Sequence, residues 1–401
     1  MVIRTTAIIL TALLLASCAS TSPPGSTSSV SGRALNSWSA QLEVTPATGA
    51  ARLELRRDGR PIDAFPFPGG GPISYTDALL WPSSQYSYQV RAYDANDHLI
   101  DSQEVQVVTP AQHGSFPRLY ASSSFWNQPI AATAALDPGS AAMVAKALVP
   151  YQAAANFWAG SNTYARPLAY ANPASPLYTV GCSKYDCQTP VSFRIPLYAT
   201  PSTGGDHHLV VINASTGKEL DLWLASHDPG SGSWTAGGRY LTDPSGSGSI
   251  CAAPQHCQGA VASGFAAFGG IIRPEEIAQG HIDHALFFTT PYTRAGFIAC
   301  PATHTDGQQN DPAAIPQGGR IQLDPAFNVD AQSWPRWEKV LAHALQTYGA
   351  YLGDTGGSVS FFAEAPLDRG YDAWSLIGVP AFASLSNLPW DHFRVLTLHR
   401  C

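Results

Sequence analysis

The stretch that decides the fold of the N-terminal region is YSYQVRAYD, residues 86–94. Its apolar side chains fall on every second position, at Tyr86, Tyr88, Val90 and Ala92. Successive side chains of a strand point to opposite faces of a sheet, so this spacing predicts a strand with one face in a core. Runs with the same period lie on both sides of it, at residues 41–44, 51–55 and 103–109.

Leu80 and Pro82 lead into this strand, and RDGR at residues 57–60 supplies a turn between two earlier runs. With the Tyr-x-Tyr-x-Val-x-Ala strand, these features resemble the second half of a fibronectin type III domain. The resemblance implies a seven-strand sandwich over residues 37–110 that serves as a spacer or binding module. The usual core tryptophan of the early strand is not clearly placed, although Trp38 is nearby.

The N-terminus predicts export. Arg4 precedes the apolar run AIILTALLLA at residues 7–16, which is shorter than the roughly 20 residues that span a bilayer. The next residues, LASC at 15–18, resemble the lipobox of bacterial lipoproteins. The resemblance implies a signal peptide at residues 1–17 and a lipidated Cys18 that anchors the protein to a membrane of the cell envelope. The alternative is an ordinary signal peptide that happens to contain a cysteine.

The residue after this cysteine is Ala19 rather than an aspartate that retains lipoproteins in the inner membrane. We therefore expect an outer-membrane location if the cell is Gram-negative. Residues 18–36 are rich in Ser, Thr, Pro and Gly, which predicts a flexible linker.

The composition favours a β-rich extracellular protein. The chain has 401 residues with 35 Gly, 32 Pro, 10% aromatic and 13% charged residues, and many turn-forming residues with few charges are typical of such proteins. A net charge of −7 provides no basic surface, which argues against nucleic acid as a partner.

Six cysteines remain when Cys18 is set aside, and an even number in an oxidising compartment predicts disulfides. Pairing of sequence neighbours gives three bonds, Cys182–Cys187, Cys251–Cys257 and Cys300–Cys401. The alternative is a zinc site built from the first four, although their spacing is looser than that of a zinc knuckle.

Residues 116–401 contain no internal linker and are expected to form one domain, a β-sandwich or jelly roll with a few helices. Capping residues and apolar spacing predict helices at residues 137–148, 273–280 and 336–352. Strands are predicted at residues 191–197, 208–212, 219–224, 285–289, 296–300, 319–323, 358–362 and 393–398. The fold class is therefore mainly β, with two β-rich domains.

Four polar clusters stand beside predicted strand ends, at residues 204–208, 281–286, 301–307 and 354–358. A histidine beside an apolar strand is most often a core residue with satisfied hydrogen bonds, but three such clusters flanked by small residues argue jointly for a site. Histidine suits proton transfer near neutral pH and also binds metals. The candidate catalytic residues are His208, His284, His304, Asp206 and Asp354. The candidate substrate-binding residues are Trp223, Arg294 and Asp306.

The block GFAAFGGIIRPEEIAQGHIDHALFFTTPYTRAGFIACPATHTD at residues 264–306, with residues 206–223 and 345–357, resembles a domain of many exported bacterial proteins. No activity is established for that domain. Its association with signal peptides and fibronectin-like modules implies a role on envelope carbohydrate. The resemblance favours His208, His284 and His304 over His207 and His281.

These features lead to three hypotheses. The first is a polysaccharide-cleaving enzyme, either a lyase in which a histidine removes a proton and Arg294 neutralises a uronate, or a hydrolase that uses two of Asp206, Asp306 and Asp354. The second is a non-catalytic glycan-binding or adhesion lipoprotein. The third is a metal-dependent enzyme in which His208, His284 and His304 hold a divalent ion. Motifs of serine hydrolases, zinc proteases and nucleotide-binding loops are absent from the sequence.

Overall fold

The computed structural model describes residues 27–185, 187, 191–213, 215–228, 231–252 and 257–401. Cys18, the proposed site of lipidation, and the predicted signal peptide lie outside the described residues. Among the described residues, no helix is both long enough and apolar enough to cross a membrane. The described chain is mainly β, as predicted.

The N-terminal unit is a sandwich of seven strands. These are β1 (Ser29–Asn36), β2 (Ser39–Thr45), β3 (Arg52–Arg57), β4 (Arg60–Pro66), β5 (Ile73–Asp77), β6 (Gln85–Tyr93) and β7 (Leu99–Val108). One sheet has the order β1-β2-β5 and the other β4-β3-β6-β7. The alternating residues of β6, from Tyr86 to Ala92, are buried between the sheets. The seven-strand sandwich predicted from this stretch is therefore present.

Strand β1 corrects the predicted linker. Residues 29–36 do not form a flexible spacer, because they pair with β2 along their length. Val30 and Ala34 pack against the core on alternate positions, and a side chain at Gly32 between them would meet Leu42 and Val107. The period of two is present in the sequence but carried by small residues, so the Ser- and Gly-rich composition conceals it.

The C-terminal unit contains fourteen strands among the described residues. These are β8 (Asn156–Trp158), β9 (Leu168–Ala171), β10 (Leu177–Tyr185), β11 (Val191–Arg194), β12 (Leu209–Asn213), β13 (Lys218–Trp223), β14 (Ser226–Asp228), β15 (Ser233–Thr242), β16 (Leu286–Thr290), β17 (Arg320–Leu323), β18 (Ala350–Thr355), β19 (Ser360–Phe362), β20 (Ala383–Ser384) and β21 (Phe393–Val395). One sheet has the order β11-β10-β15-β13-β12-β9, with β14 beside β15. The other has the order β20-β8-β19-β16-β18-β17-β21.

Three α-helices accompany these sheets, α1 (Ser140–Ala147), α2 (Pro274–Gln279) and α3 (Arg336–Thr347). The predicted end of the last helix at residue 352 is wrong. Gly349 has a φ of +64°, which favours glycine, and the chain turns there into β18. The predicted strand at residues 296–300 is also wrong, because only an isolated bridge at Ala299 forms.

The two C-terminal sheets share a buried core. The residues that join them lie on β12, β16, β18 and the loops between, and they include Val210, Ile212, Phe287, Tyr351, Trp126 and Phe265. Helix α3 packs its apolar side against the outer face of the second sheet. The other face of β12 is also buried, through Leu209 and Val211. The start of β12 is therefore enclosed by protein on both sides.

Buried polar contacts join the N-terminal sandwich to the C-terminal unit. Ser175 donates a hydrogen bond of 2.5 Å to the carboxyl of Asp63, and the Leu197 N–H donates another of 3.0 Å. Thr76 and Asn172 exchange two hydrogen bonds of 2.7 and 3.0 Å. Because these groups leave water only with their partners in place, the contacts fix how the two units dock.

All three predicted disulfides form, Cys182–Cys187, Cys251–Cys257 and Cys300–Cys401. The zinc alternative for the first four cysteines is therefore wrong, since bonded sulfurs are not thiolate ligands. The third bond closes a separation of 101 residues and ties the C-terminus to the loop after β16.

Candidate functional site

A cleft opens in the C-terminal unit where the loops that precede β9 and β12 face the ends of β16 and β18. It encloses about 900 Å³ of empty space, counting the solvent at its mouth. Its lining combines charged, hydroxyl and aromatic side chains, which are Trp158, Thr163, Tyr164, Arg166, Ser202, Asp206, His208, Thr289, Asp354, Thr355, Ser358, Ser360 and Phe362. Three of the five predicted catalytic residues, Asp206, His208 and Asp354, are brought together here.

Asp354 is the half-buried carboxyl of the cleft, and it lies on β18 beside Thr289 of β16. Burial raises the pKa of Asp354 to about 7, and the nearby negative charge of Asp306 adds to the rise. Arg166 and the Ala262 N–H act in the opposite direction. A carboxyl with this pKa is substantially protonated near neutral pH and can donate a proton there.

Arg166 is the buried cation of the cleft, with 3% of its surface exposed. Its backbone is held by hydrogen bonds of 2.8 Å, in which the Arg166 N–H donates to Ala363 and the Ala365 N–H donates to Arg166. Its guanidinium lies 5.2 Å from the ring centre of Phe362, and its Nε has no hydrogen-bond partner within the described chain. Burial lowers the pKa of Arg166, and no ion pair to it forms among the described residues.

His208 opens β12, and Ser202 fixes its backbone. The His208 N–H donates to the Ser202 hydroxyl at 2.9 Å, and the Ser202 N–H donates to the His208 carbonyl at 2.8 Å. Burial lowers the pKa of His208 well below its usual value, and the charge of Arg166 lowers it further. The imidazole is therefore neutral at physiological pH, and its Nδ1 has no partner within the described chain.

Asp206 is the exposed carboxyl on the lining of the cleft. It accepts a hydrogen bond of 3.1 Å from the indole N–H of Trp223, and its backbone carbonyl accepts one of 2.8 Å from Leu224. Trp223 thus positions Asp206 but does not itself line the cleft.

Asp306 and His304 flank the cleft. Thr355 donates a hydrogen bond of 2.7 Å to Asp306, so this carboxyl lies beside Asp354 at the end of β18. The His304 Nδ1 donates to the Ala262 carbonyl at 2.9 Å, and the N–H of Ala262 contacts Asp354. Asp306 and His304 are therefore each connected to the site through one other residue, which is Thr355 for Asp306 and Ala262 for His304.

An aromatic wall borders the cleft. The ring centres of Trp158 and Tyr164 are 4.7 Å apart, and that of Phe382 lies 5.3 Å from Trp158. Tyr164 is 42% exposed and Phe382 56% exposed, so these rings present apolar faces to solvent. Flat faces of this kind stack on the apolar faces of sugar rings.

His284 does not belong to this site, contrary to the prediction. It precedes β16, whereas Thr289 near the other end of that strand lines the cleft, which separates them by roughly 16 Å along the chain. The His284 Nε2 bonds Glu276 at 3.0 Å and its Nδ1 bonds the Ala285 carbonyl at 2.8 Å. Both ring nitrogens of His284 are therefore satisfied by buried partners, and the residue lines a separate, smaller pocket together with Glu276.

Arg294 does not line the cleft, and its guanidinium is 4.7 Å from the ring centre of Phe297. The three-histidine metal site is not supported, since His284 lies apart from His208 and His304. No group of three or more His, Cys, Asp or Glu side chains within the described ranges could hold a metal ion.

A pair of buried carboxyls lies behind the cleft on β13, at Glu219 and Asp221. Burial raises the pKa of both, and the two repel when both are charged. Tyr120 donates to Glu219 at 3.1 Å, and the Ala267 N–H donates to Asp221 at 3.0 Å. The pair holds a proton in the core and does not line the cleft.

The sequence arguments missed Arg166, Trp158 and Tyr164. One signal was available, because Arg166 is the only charged residue between Lys146 and Lys184. A single charge within a long uncharged stretch indicates a residue kept for a specific contact rather than for solubility. The two aromatic residues carry no comparable signal, since most of the aromatic side chains here are core.

No protein-family model matches this chain, and no curated protein sequence matches it. Solved structures of fibronectin(III)-like modules are similar to a part of it. Those of CbhA from Clostridium thermocellum are 18% identical, cover 20% of this chain and 86% of their own, and give a TM-score of 0.17. The FN5 domain of Drosophila Lar is 23% identical, covers 21% of this chain and 94% of its own, and gives 0.16.

The sixth fibronectin type III domain of a human protein, fibronectin type III domain containing protein 3, is 19% identical. It covers 23% of this chain and 88% of its own, with a TM-score of 0.17.

Proposed function

We propose that this protein is an envelope-anchored enzyme that cleaves a polysaccharide, with the cleft around Asp354 as its active site. The observation that carries the proposal is a carboxyl with a pKa of about 7 in a cleft that also holds Asp206 and His208. Perturbed carboxyls of this kind concentrate at sites of acid–base chemistry. Anchoring through Cys18 remains part of the proposal.

The proton donor in this proposal is Asp354, which protonates the oxygen of the departing sugar. Its raised pKa keeps the proton in place near neutral pH, when an ordinary carboxyl has lost it. The aromatic wall of Trp158 and Tyr164 supports the sugar substrate, since it offers stacking faces beside the donor.

Two reactions use the same donor. In a hydrolase, Asp206 supplies the second carboxyl, as nucleophile or as base toward water. In a lyase, the neutral His208 accepts a proton from the sugar while Asp354 protonates the leaving oxygen. The products separate them, because only a lyase leaves an unsaturated sugar that absorbs ultraviolet light.

Incubation of the protein with envelope and plant-type polysaccharides tests the proposal by new reducing ends and by ultraviolet absorbance. We expect products from at least one polymer, and a loss of roughly 10²- to 10⁴-fold in rate for Asp354→Asn. Asp330→Asn is the matched control, since that carboxyl is 81% exposed and lies outside the cleft. Full activity of Asp354→Asn would remove the assignment, and retention on a polymer without products would favour the glycan-binding alternative.

The rate should also depend on pH in one direction. Because the acid form of Asp354 is required and its pKa is about 7, kcat/KM is expected to fall as the pH rises through that value. A pH profile of the wild-type protein measures this. A rate that stays constant from about pH 6 to about pH 9 would contradict the role of Asp354 as donor.

A further inference from the structure

Resting on the proposed function, we propose that the polymer is acidic and that a uronate carboxylate of the substrate pairs with Arg166 in the cleft. Arg166 takes the role expected for Arg294, which does not line the cleft. Three features of Arg166 support the proposal: the lack of a direct ion pair, the fixed position and the surrounding charge.

Arg166 differs from three other buried arginines, each of which forms a short ion pair. Arg57 pairs with Asp77 at 2.7 Å, Arg273 with Glu364 at 2.6 Å and Arg369 with Glu275 at 2.7 Å. Arg166 is equally buried but forms no ion pair among the described residues, its Nε has no hydrogen-bond partner there, and the carboxylates of Asp354, Asp206 and Asp221 act on it only through space. An unpaired buried cation is costly for a fold, and a carboxylate from the substrate would supply the missing partner.

Backbone hydrogen bonds and two aromatic rings restrict the position of the Arg166 guanidinium. Both backbone groups of Arg166 are bonded to the chain that follows β19, and the rings of Phe362 and Phe287 lie 5.2 and 5.9 Å from the guanidinium. A fixed guanidinium can receive a carboxylate through two parallel hydrogen bonds without an ordering cost.

The surrounding charge favours a carboxylate over a phosphate monoester, which is close to doubly charged near neutral pH. Arg166 is the only cationic residue that lines the cleft among the described residues, and His208 is neutral beside it. Asp206 on the lining would repel a doubly charged group more strongly than a singly charged one. His208 Nδ1, which is buried and unpartnered, offers a further polar group to the bound sugar acid.

Binding to Asp354→Asn, which prevents turnover, tests the inference by calorimetry. The probes are trisaccharides of galacturonate, mannuronate and glucuronate, each with its methyl ester. We expect at least one acid to bind at least roughly tenfold more tightly than its ester, since a charge-assisted pair is lost in the ester. In the double variant with Arg166→Met, acid and ester should bind equally.

Equal affinity of all acids and esters for Asp354→Asn would overturn the inference, as would an unchanged preference in the double variant. Arg166→Lys covers the case in which Arg166→Met fails to fold. It keeps a charge but not the paired donors, so it should bind the acid more weakly while still preferring it to the ester. Unchanged affinity in this variant, or stronger competition by inorganic phosphate or sulfate than by free glucuronate, would also overturn the carboxylate assignment.

Different results would contradict the acidic substrate and the enzymatic activity. If the wild-type protein cleaves only neutral polysaccharides, the enzymatic activity is confirmed and the acidic substrate is contradicted. If an acid binds through Arg166 but the wild-type protein yields no products, the acidic ligand stands and the enzyme does not.

Discussion

Two regions of the molecule bury arginine in opposite ways. At the junction of the two units, Arg369 lies between Glu275 at 2.7 Å and Glu364 at 2.5 Å, and its backbone carbonyl accepts a hydrogen bond from Arg57. In the cleft, Arg166 is as deeply buried but has no ion pair within the described chain. Charges at the junction are neutralised by direct ion pairs, whereas the charge in the cleft meets Asp354, Asp206 and Asp221 only through space.

A buried ion pair whose geometry is satisfied becomes essential once it is formed, because removal of one partner leaves the other charged and unsolvated. The contrast predicts that the arginine at the junction contributes more to stability than the arginine in the cleft.

The largest effect should come from breaking the junction. We expect Arg369→Met to lower the free energy of unfolding by about 3–5 kcal/mol, because it leaves the carboxylate of Glu275 buried without its partner. Arg166→Met should change it by less than about 1 kcal/mol, since no ion pair is lost. Denaturant unfolding of both variants measures the contrast, and equal losses in the two would contradict it.

A second effect concerns Asp63, which is fully buried at the junction. Burial raises the pKa of its carboxyl to about 6. Because the folded protein holds this proton more tightly than the unfolded chain, Asp63 costs stability as the pH rises from about 4 to about 6. The loss is about 3 kcal/mol at most.

Asp63→Asn should remove that dependence. The amide keeps an oxygen for the Leu197 and Ala64 N–H groups and can donate to Ser175, so the contacts survive without the proton. Unfolding of both proteins at several pH values gives the difference. A constant difference across this range would show that Asp63 does not change its protonation on folding.

The smallest expected effect concerns His284. His284→Ala should cost about 1–3 kcal/mol of unfolding free energy, since it leaves the carboxyl of Glu276 and the Ala285 carbonyl without a buried partner. The rate of cleavage per folded molecule should stay within a few-fold of wild type, because His284 lies at the far end of β16. If His284→Ala kept the stability of the wild type but lost the cleavage rate, His284 would have to be counted as a catalytic residue.

Much of the architecture could be predicted from local pattern. The alternation of Tyr86, Tyr88 and Val90 predicts its strand, and Pro274 with Gly280 brackets α2 because their backbone preferences start and end a helix. The end of α3 was missed because Tyr348 and Leu352 continue the helical spacing, while the pairing of β18 with β16 takes over from Gly349.

The candidate site could be predicted only in part. Asp206, His208 and Asp354 stand in polar clusters at strand ends, and they meet because parallel β16 and β18 end where β12 begins. His284 carries the same local signal and still lies apart, since its partner Glu276 comes from α2. The local sequence around a histidine does not contain the identity of its partner.

The sequence by itself determined that the chain is mainly β and indicated that six cysteines are paired, and the resemblance to a fibronectin type III domain implied the seven-strand sandwich. The first two follow from period, composition and parity, which act over short stretches or over the whole chain. Only the tertiary structure decided that Arg166 faces Asp354 without an ion pair and that Asp354 has a pKa near 7. Burial and charge proximity depend on residues distant in sequence, and these interactions exist only after the sheets have packed.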